Sequence, residues 1–238
     1  MNRSNRPNEQ HLKNVLTFNI QGIPIKIKRD LKIYMPSVAS ILTAKNLKNL
    51  EDREVLDLGT GSGFLAITAS KLGAKRVVAT DVSSRALKAA RENAALNNVN
   101  NIEFRLGSLY EPVENELFDV IICNPPMTPS KKPLPRFTWG GADGRMILDE
   151  VIKGAPSHLK KKGRLIIPVI SLVGIGKTFR LLREVGFEPR VLDYCIHEFG
   201  RTLLKLKTYL AGLPDADFVY NGLGRPCWRL VLFEAVKI

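Results

Sequence analysis

Two short stretches hold the residues with chemistry to offer: residues 57–63, DLGTGSG, and residues 124–127, NPPM. Gly59, Gly61 and Gly63 follow a GxGxG spacing. In a dinucleotide-binding turn the third glycine comes three positions after the second, and the turn cradles a pyrophosphate at a helix N-terminus. Here the third glycine arrives one residue early, which disfavours NAD. A turn without Cβ atoms still lets a ligand approach the backbone closely. Asp81 follows Gly59 by 22 residues and ends the next apolar run, where a carboxylate can accept both hydroxyls of a ribose. A cofactor with a ribose and no phosphate meets both conditions. The plainer alternative is a tight strand-to-helix turn, with Asp81 acting as a helix cap ahead of Ser83 and Ser84.

Asn124, Pro125 and Pro126 read differently. Two prolines fix the backbone and donate no N–H, so the turn offers a rigid pair of acceptors, the Asn124 side-chain oxygen and the Pro125 carbonyl. Such a pair suits an NH₂ group. An amide or exocyclic amine is a poor nucleophile because its lone pair is delocalised. Holding both N–H bonds orients that lone pair toward an electrophile and stabilises the charge that develops on nitrogen. Taken alone, Asn-Pro also starts ordinary turns.

These residues need a sheet edge to stand on, and the rest of the chain supplies one. Residues 15–28, VLTFNIQGIPIKIK, are two alternating apolar runs split by Gln21-Gly22, which predicts a β-hairpin. A helix follows in YMPSVASILTAKNL, started by Pro36-Ser37. From residue 54 strands and helices alternate: EVLDL, a helix over 64–72, RVVATD, a helix over 84–96, IEFRL and FDVIICN. After a loop come a helix over 145–159, GRLIIPVI, a helix over 177–185, EPRVLDYCI, and a last strand CWRLVLFEAV reached through an atypical segment, 197–224. The late strands are nearly all apolar, as where helices cover both faces of a mostly parallel sheet. The expected fold is α/β: a Rossmann-like, seven-stranded, mostly parallel sheet with helices on both faces (51–238), preceded by a hairpin and helix extension (1–50).

Composition narrows the setting. A hydrophobic content of 45% in 238 residues fills a core without staples. Cys123, Cys195 and Cys227 are far apart and odd in number, so neither a disulfide framework nor a zinc knuckle is indicated, and a reducing cytosol is expected. The start MNRSNRPNEQ is polar, and the longest apolar run, LIIPVISLVGIG, is too short and broken to span a bilayer. A cytoplasmic protein without membrane contact is the expectation. His11, His158 and His197 have no ligand or triad spacing, so no metal is expected. A net charge of +13 favours an anionic partner.

With these residues in view, DLGTGSG, ATDVSSRALKAARENAALNN and FDVIICNPP resemble the class I S-adenosylmethionine methyltransferases of the NPPY group over roughly residues 33–170. The segment TWGGADGRMILDEVI is similar to that of the HemK-like glutamine methyltransferases, including their release-factor branch, and IYMPSVAS to the segment of that branch lying against the cofactor. The resemblance implies S-adenosylmethionine as cofactor, held by Tyr34, Pro36, Asp57, Gly59, Thr60, Gly61, Gly63, Asp81, Val82, Ser108, Leu109 and Asn124. Within that set Asp57 and the glycines line the methionine end, and Asp81 holds the ribose. Asn124, Pro125 and Pro126 would form the catalytic turn. There are two departures: Met127, expected to face the substrate, stands where the group has an aromatic, and Ser108 where it often has an acid at the adenine.

Beyond the turn lies MTPSKKPLPRFTW, with Lys131, Lys132, Arg136, Phe137 and Trp139. Basic and aromatic residues interleaved beside an acceptor pocket suit single-stranded nucleic acid; the alternative is a solvated loop with Trp139 packed inward. HEFGRTLLKLKTYLAG reads as an amphipathic helix that rims the substrate site or covers the sheet edge. The expected activity is methyl transfer to a planar nitrogen of a macromolecule. A protein glutamine, a release factor's among the candidates, stands first and an RNA base amine second. A catalytically idle RNA-docking protein is the reading from another class.

Overall fold

The computed structural model describes residues 14–30 and 32–238; the polar stretch 1–13, with His11, lies outside the described residues. The hairpin forms as expected from β1 (Val15–Ile20) and β2 (Ile23–Lys28), paired antiparallel. Its turn residues Gln21 and Gly22 both have positive φ, 52° and 84°, as a two-residue turn that keeps the strand twist requires. Next comes α1 (Val38–Asn46). Its cap is reciprocal: Ser40 N donates to the Ser37 hydroxyl and Ser37 N donates to the Ser40 hydroxyl.

From there the expected alternation holds: β3 (Glu54–Leu58), α2 (Phe64–Lys71), β4 (Arg76–Asp81), α3 (Ser84–Leu96), β5 (Ile102–Leu106) and β6 (Phe118–Cys123). The chain continues with α4 (Met146–His158), β7 (Leu159–Ile170), α5 (Ile175–Glu184), β8 (Phe187–Glu198), α6 (Arg201–Ala211), β9 (Val219–Tyr220) and β10 (Pro226–Lys237). The sheet order is β5-β4-β3-β6-β7-β10-β8, with β9 paired to β10 beside this path. Strands β3 to β7 pair in parallel; β10 runs antiparallel to both β7 and β8. The sheet thus has eight strands where seven are expected. The extra one, β9, has two residues, too few to carry an alternating pattern.

Each inner strand sends alternate residues to opposite faces. Leu56, Val78 and Ile121 pack with Leu148 and Ile152 of α4, while Val55, Val77 and Val120 pack with Ala66 and Ile67 of α2. The hairpin and α1 share that second core through Ile20, Ile25, Ala44 and Leu47. The atypical segment resolves into three parts. His197 and Glu198 finish β8, α6 follows, and β9 closes it. Leu210 of α6 packs with Leu172 and Phe199, and the Tyr209 hydroxyl donates to Ala142 O at 2.6 Å, so this helix braces the loop ahead of α4. No helix among the described residues is long and apolar enough to cross a membrane.

Candidate functional site

A cavity of about 440 Å³ opens at the carboxyl ends of β3, β4 and β6, where ligands of open α/β sheets bind. Its floor is the turn after β3. Gly59 N and Thr60 N both donate to Thr80 O, at 3.0 and 2.8 Å, which draws the turn against β4. Gly61, at φ 55°, presents its N–H to Asp81 Oδ2 at 2.9 Å. The other Asp81 oxygen accepts from Ser83 N at 2.9 Å, and the Ser83 hydroxyl caps α3 by accepting from Ala86 N. Asp81 therefore orders the start of α3 and also lines the cavity, with lone pairs to spare.

Gly63 has a different task. A Cβ there would stand 3.0 Å from that of Ala90, so this glycine lets α2 pack closely on α3, and it is not in the wall of this cavity. Asp57 is 1% exposed, and its Oδ2 accepts from the Thr60 hydroxyl at 2.6 Å and Ala66 N at 3.0 Å. Burial pushes its carboxyl up to about 6, the Thr60 and Ala66 bonds pull it down, and the Asp81 charge adds to the rise. With Thr60 and Pro36 it borders a side cavity of about 20 Å³, room for about one water. Val82, Ser108 and Leu109 line the far end of the main cavity. Glu111, the acid nearest in sequence to Ser108, turns its carboxylate back onto Ser108 N at 3.0 Å.

At the opposite end stands the Asn-Pro-Pro turn. Asn124, Pro125 and Pro126 all line the cavity. The Asn124 amide donates to Ser40 Oγ at 3.1 Å and to Tyr34 OH at 3.4 Å, and Tyr34 OH donates onward to Ser37 Oγ at 2.6 Å. Both amide hydrogens are thereby engaged by the hairpin and helix extension, and Oδ1 remains as the acceptor. Sequence reasoning missed Ser37 and Ser40. The only trace of them was the Pro36-Ser37 helix start, because Ser40 does not stand out from its neighbours in α1.

The residues expected at the substrate divide. Arg136 and Trp139 line the cavity, and Trp139 Nε1 also donates to Ser130 O at 2.9 Å, so the indole is both wall and loop anchor. Lys131 and Lys132 are exposed on the outer side of the loop; Lys131 Nζ lies 5.6 Å from the centre of the Tyr209 ring. Met127, expected to face the substrate, is 6% exposed and packs in the core with Leu148 and Val173. The cause is the loop's fold: Thr128 N donates to Thr138 O and Gly140 N to Thr128 O, which tucks Met127 beneath it. Arg145, also unforeseen, is buried under the loop and donates to Val173 O, Thr178 Oγ1 and Asp149 Oδ1. His158 stacks on Tyr110, and His197 lies 3.1 Å from Cys195 on the edge strand β8.

Among the described residues Asp81 is the one carboxylate in the cavity wall. Cys123 lines it too, but burial pushes its thiol well up, so no thiolate is available. The chemistry left to the site is to hold and orient. It has a strand-end carboxylate suited to a ribose, a glycine floor open to close approach and a volume in the range of small-ligand sites. The residues present fit S-adenosylmethionine.

A Rossmann-like methyltransferase that takes its methyl group from S-adenosylmethionine is the class this fold and site define. The chain belongs to the methyltransferase small domain family, which matches residues 37–185 and so begins at the cap of α1. A Methanocaldococcus jannaschii protein provisionally named a protein N5-glutamine methyltransferase is 38% identical over 182 residues, 74% of this chain and 90% of that one. A ribosomal protein L11 methyltransferase of Lactobacillus gasseri is 39% identical over 151 residues, covering 63% of this chain and 42% of that protein. Among solved structures, a T. thermophilus 16S rRNA N2 methyltransferase in complex with AdoMet and guanosine is similar in fold. Its TM-score is 0.64 at 18% identity, covering 94% of this chain and 50% of that one.

Proposed function

We propose that the protein transfers the methyl group of S-adenosylmethionine to the side-chain amide nitrogen of a glutamine in a protein. The observation that carries transfer to a planar NH₂ group is the state of Asn124. With its N–H bonds spent on Tyr34 and Ser40, its oxygen is left as an acceptor, and Pro125 lines the cavity beside it. Two acceptors match the two hydrogens of such a group, and the choice of a glutamine among these groups rests on the named relatives. The similar M. jannaschii and L. gasseri proteins, both named for protein substrates, support the same reading.

In this mechanism Asp81 would accept from the ribose, Gly59 and Gly61 would leave room for the methionine part, Val82, Ser108 and Leu109 would flank the adenine, and Tyr34 and Pro36 would close the remaining side. The sulfonium of the bound cofactor supplies an electrophilic methyl group and a good leaving group. Asn124 and Pro125 hold both N–H bonds of the acceptor, which aims its lone pair and stabilises the positive charge that grows on nitrogen as the N–C bond forms and the C–S bond breaks. The surplus proton then leaves from nitrogen to water, since a protonated amide is a strong acid. No general base is needed, in keeping with a wall whose carboxylate is held by two backbone N–H groups.

A second reading, an RNA base amine as acceptor, is favoured by Arg136 in the wall and by the charge of +13. Incubation with methyl-labelled cofactor and cell extract separates the two: label released by protease supports glutamine, and label released by ribonuclease replaces it with RNA.

A further inference from the structure

Two in-plane acceptors hold an amide at its N–H bonds but leave it free to tilt about the line joining them. The lone pair of a planar amide stands perpendicular to its plane, so tilting turns the nucleophile away from the methyl group. One face must meet the methyl, and the other needs a flat support. The fourth residue of the Asn-Pro-Pro turn cannot give it, because Met127 is buried in the core. A different residue stands open at the same end of the cavity. Phe137 is 42% exposed and lines the wall with Asn124 and Pro126. Its ring centre lies 5.8 Å from that of Tyr34, tilted by 45°, and the Tyr34 hydroxyl is the one that meets Asn124 at 3.4 Å.

The ring is held where it is. Thr138 N and Trp139 N both donate to Pro135 O, at 2.8 and 3.1 Å, and Thr128 N donates to Thr138 O at 2.8 Å, so Phe137 rides on a closed turn bonded to the base of the loop. We propose that Phe137 is the flat surface against which the planar acceptor lies, taking from across the loop the part that the residue after Pro126 does not play. The identity of the acceptor as a glutamine amide rests on the function proposed above; the role of the ring rests on the geometry. Aromatic faces stack on planar groups in offset arrangements that apolar side chains of equal bulk do not reproduce.

The test compares Phe137→Ala, Phe137→Leu and Phe137→Trp with the parent in methyl transfer to a release-factor protein and to total RNA, with cofactor affinity measured in parallel by calorimetry. Because Phe137 is partly exposed, the variants should melt with the parent. The expected result is a fall of about tenfold in kcat/KM for Ala and Leu, activity near that of the parent for Trp, and unchanged cofactor affinity in all three. An Ala variant within twofold of the parent would overturn the proposal. So would a Leu variant as active as the parent, since bulk would then suffice, or a cofactor affinity that falls with the ring, which would make Phe137 cofactor wall. If the parent methylates RNA and no protein, the glutamine reading falls, while the same variants assayed on RNA still decide the role of Phe137.

Discussion

The two ends of the cavity are built in different ways. At the glycine-turn end the donors that shape the wall are main chain. Gly59 N and Thr60 N meet Thr80 O, and Gly61 N and Ser83 N meet the Asp81 carboxylate, all within one strand-turn-helix-strand unit. At the acceptor end the holding atoms are side chains from three distant pieces. Asn124 reaches 84 and 90 residues back to Ser40 and Tyr34, and Phe137 comes from the loop beyond. Backbone donors leave few ways to vary a site, whereas side chains on separate segments can change one at a time. On the function proposed above, the first end holds the cofactor and the second the acceptor.

If that division is right, damage at one end should leave the other intact. The largest effect is expected from Asn124→Ala, which should lower kcat on the order of 10²–10³-fold, as for loss of one preorganised contact, with cofactor affinity unchanged in calorimetry. A parallel loss of cofactor binding would show that the two ends are not separable.

Next in size is a pH effect confined to the cofactor end. The buried Asp57 carboxyl, at about 6 in the folded protein against an ordinary 3.8, favours its protonated form in the fold. The stability it contributes is therefore fully present below pH ~4 and lost as pH rises through ~6. In Asp57→Asn, which keeps an oxygen for Thr60 and Ala66 but does not titrate, the unfolding free energy relative to the parent should shift by up to roughly 3 kcal/mol between pH 4 and 7.5. Urea melts across that range measure it, and a constant difference between the two proteins would count against a raised Asp57.

Asp81→Ala should weaken cofactor binding by ~1.5–3 kcal/mol for the lost charge-assisted bond, while turnover at saturating cofactor stays near that of the parent. Undiminished affinity would remove Asp81 from the cofactor site. The smallest effect belongs to Ser40→Ala. Its hydroxyl holds the Asn124 amide from the extension, and its loss should cut kcat roughly threefold to tenfold, the net worth of one neutral hydrogen bond. If cofactor affinity fell instead, Ser40 would belong to the cofactor site and not to the hold on Asn124.

The contrast also explains what could be read in the chain before its fold was known. The glycine turn and Asp81 were legible because the bonds between them are short in sequence and their geometry is a backbone requirement. The strand order, the positions of Ser37 and Ser40 and the burial of Met127 were not, since each depends on where remote segments land. Met127 was misplaced because a proline-locked turn fixes its own backbone and says nothing about the loop that later covers it. Lys131 and Lys132 follow the turn directly, yet the loop carries them to its outer side, while Arg136 and Trp139 return to the wall. The eighth strand went unseen because two residues in isolation have no pattern.

The place of β10 has a further consequence, in the time order of folding. β8 is synthesised before β10, yet β10 lies between β7 and β8 and pairs with both. Until residues 226–237 have left the ribosome, β8 has no strand beside it in the sheet and β7 keeps a bare edge. The parallel half that carries the glycine turn can pair as it emerges, although its β3–β6 contacts span as much chain as those of β7 with β10, whereas the antiparallel half waits for one late insertion, and the wait leaves edges open to aggregation. A ribosome stalled before residue 226 would therefore hold a chain whose glycine turn is formed and whose sheet is still open on one side.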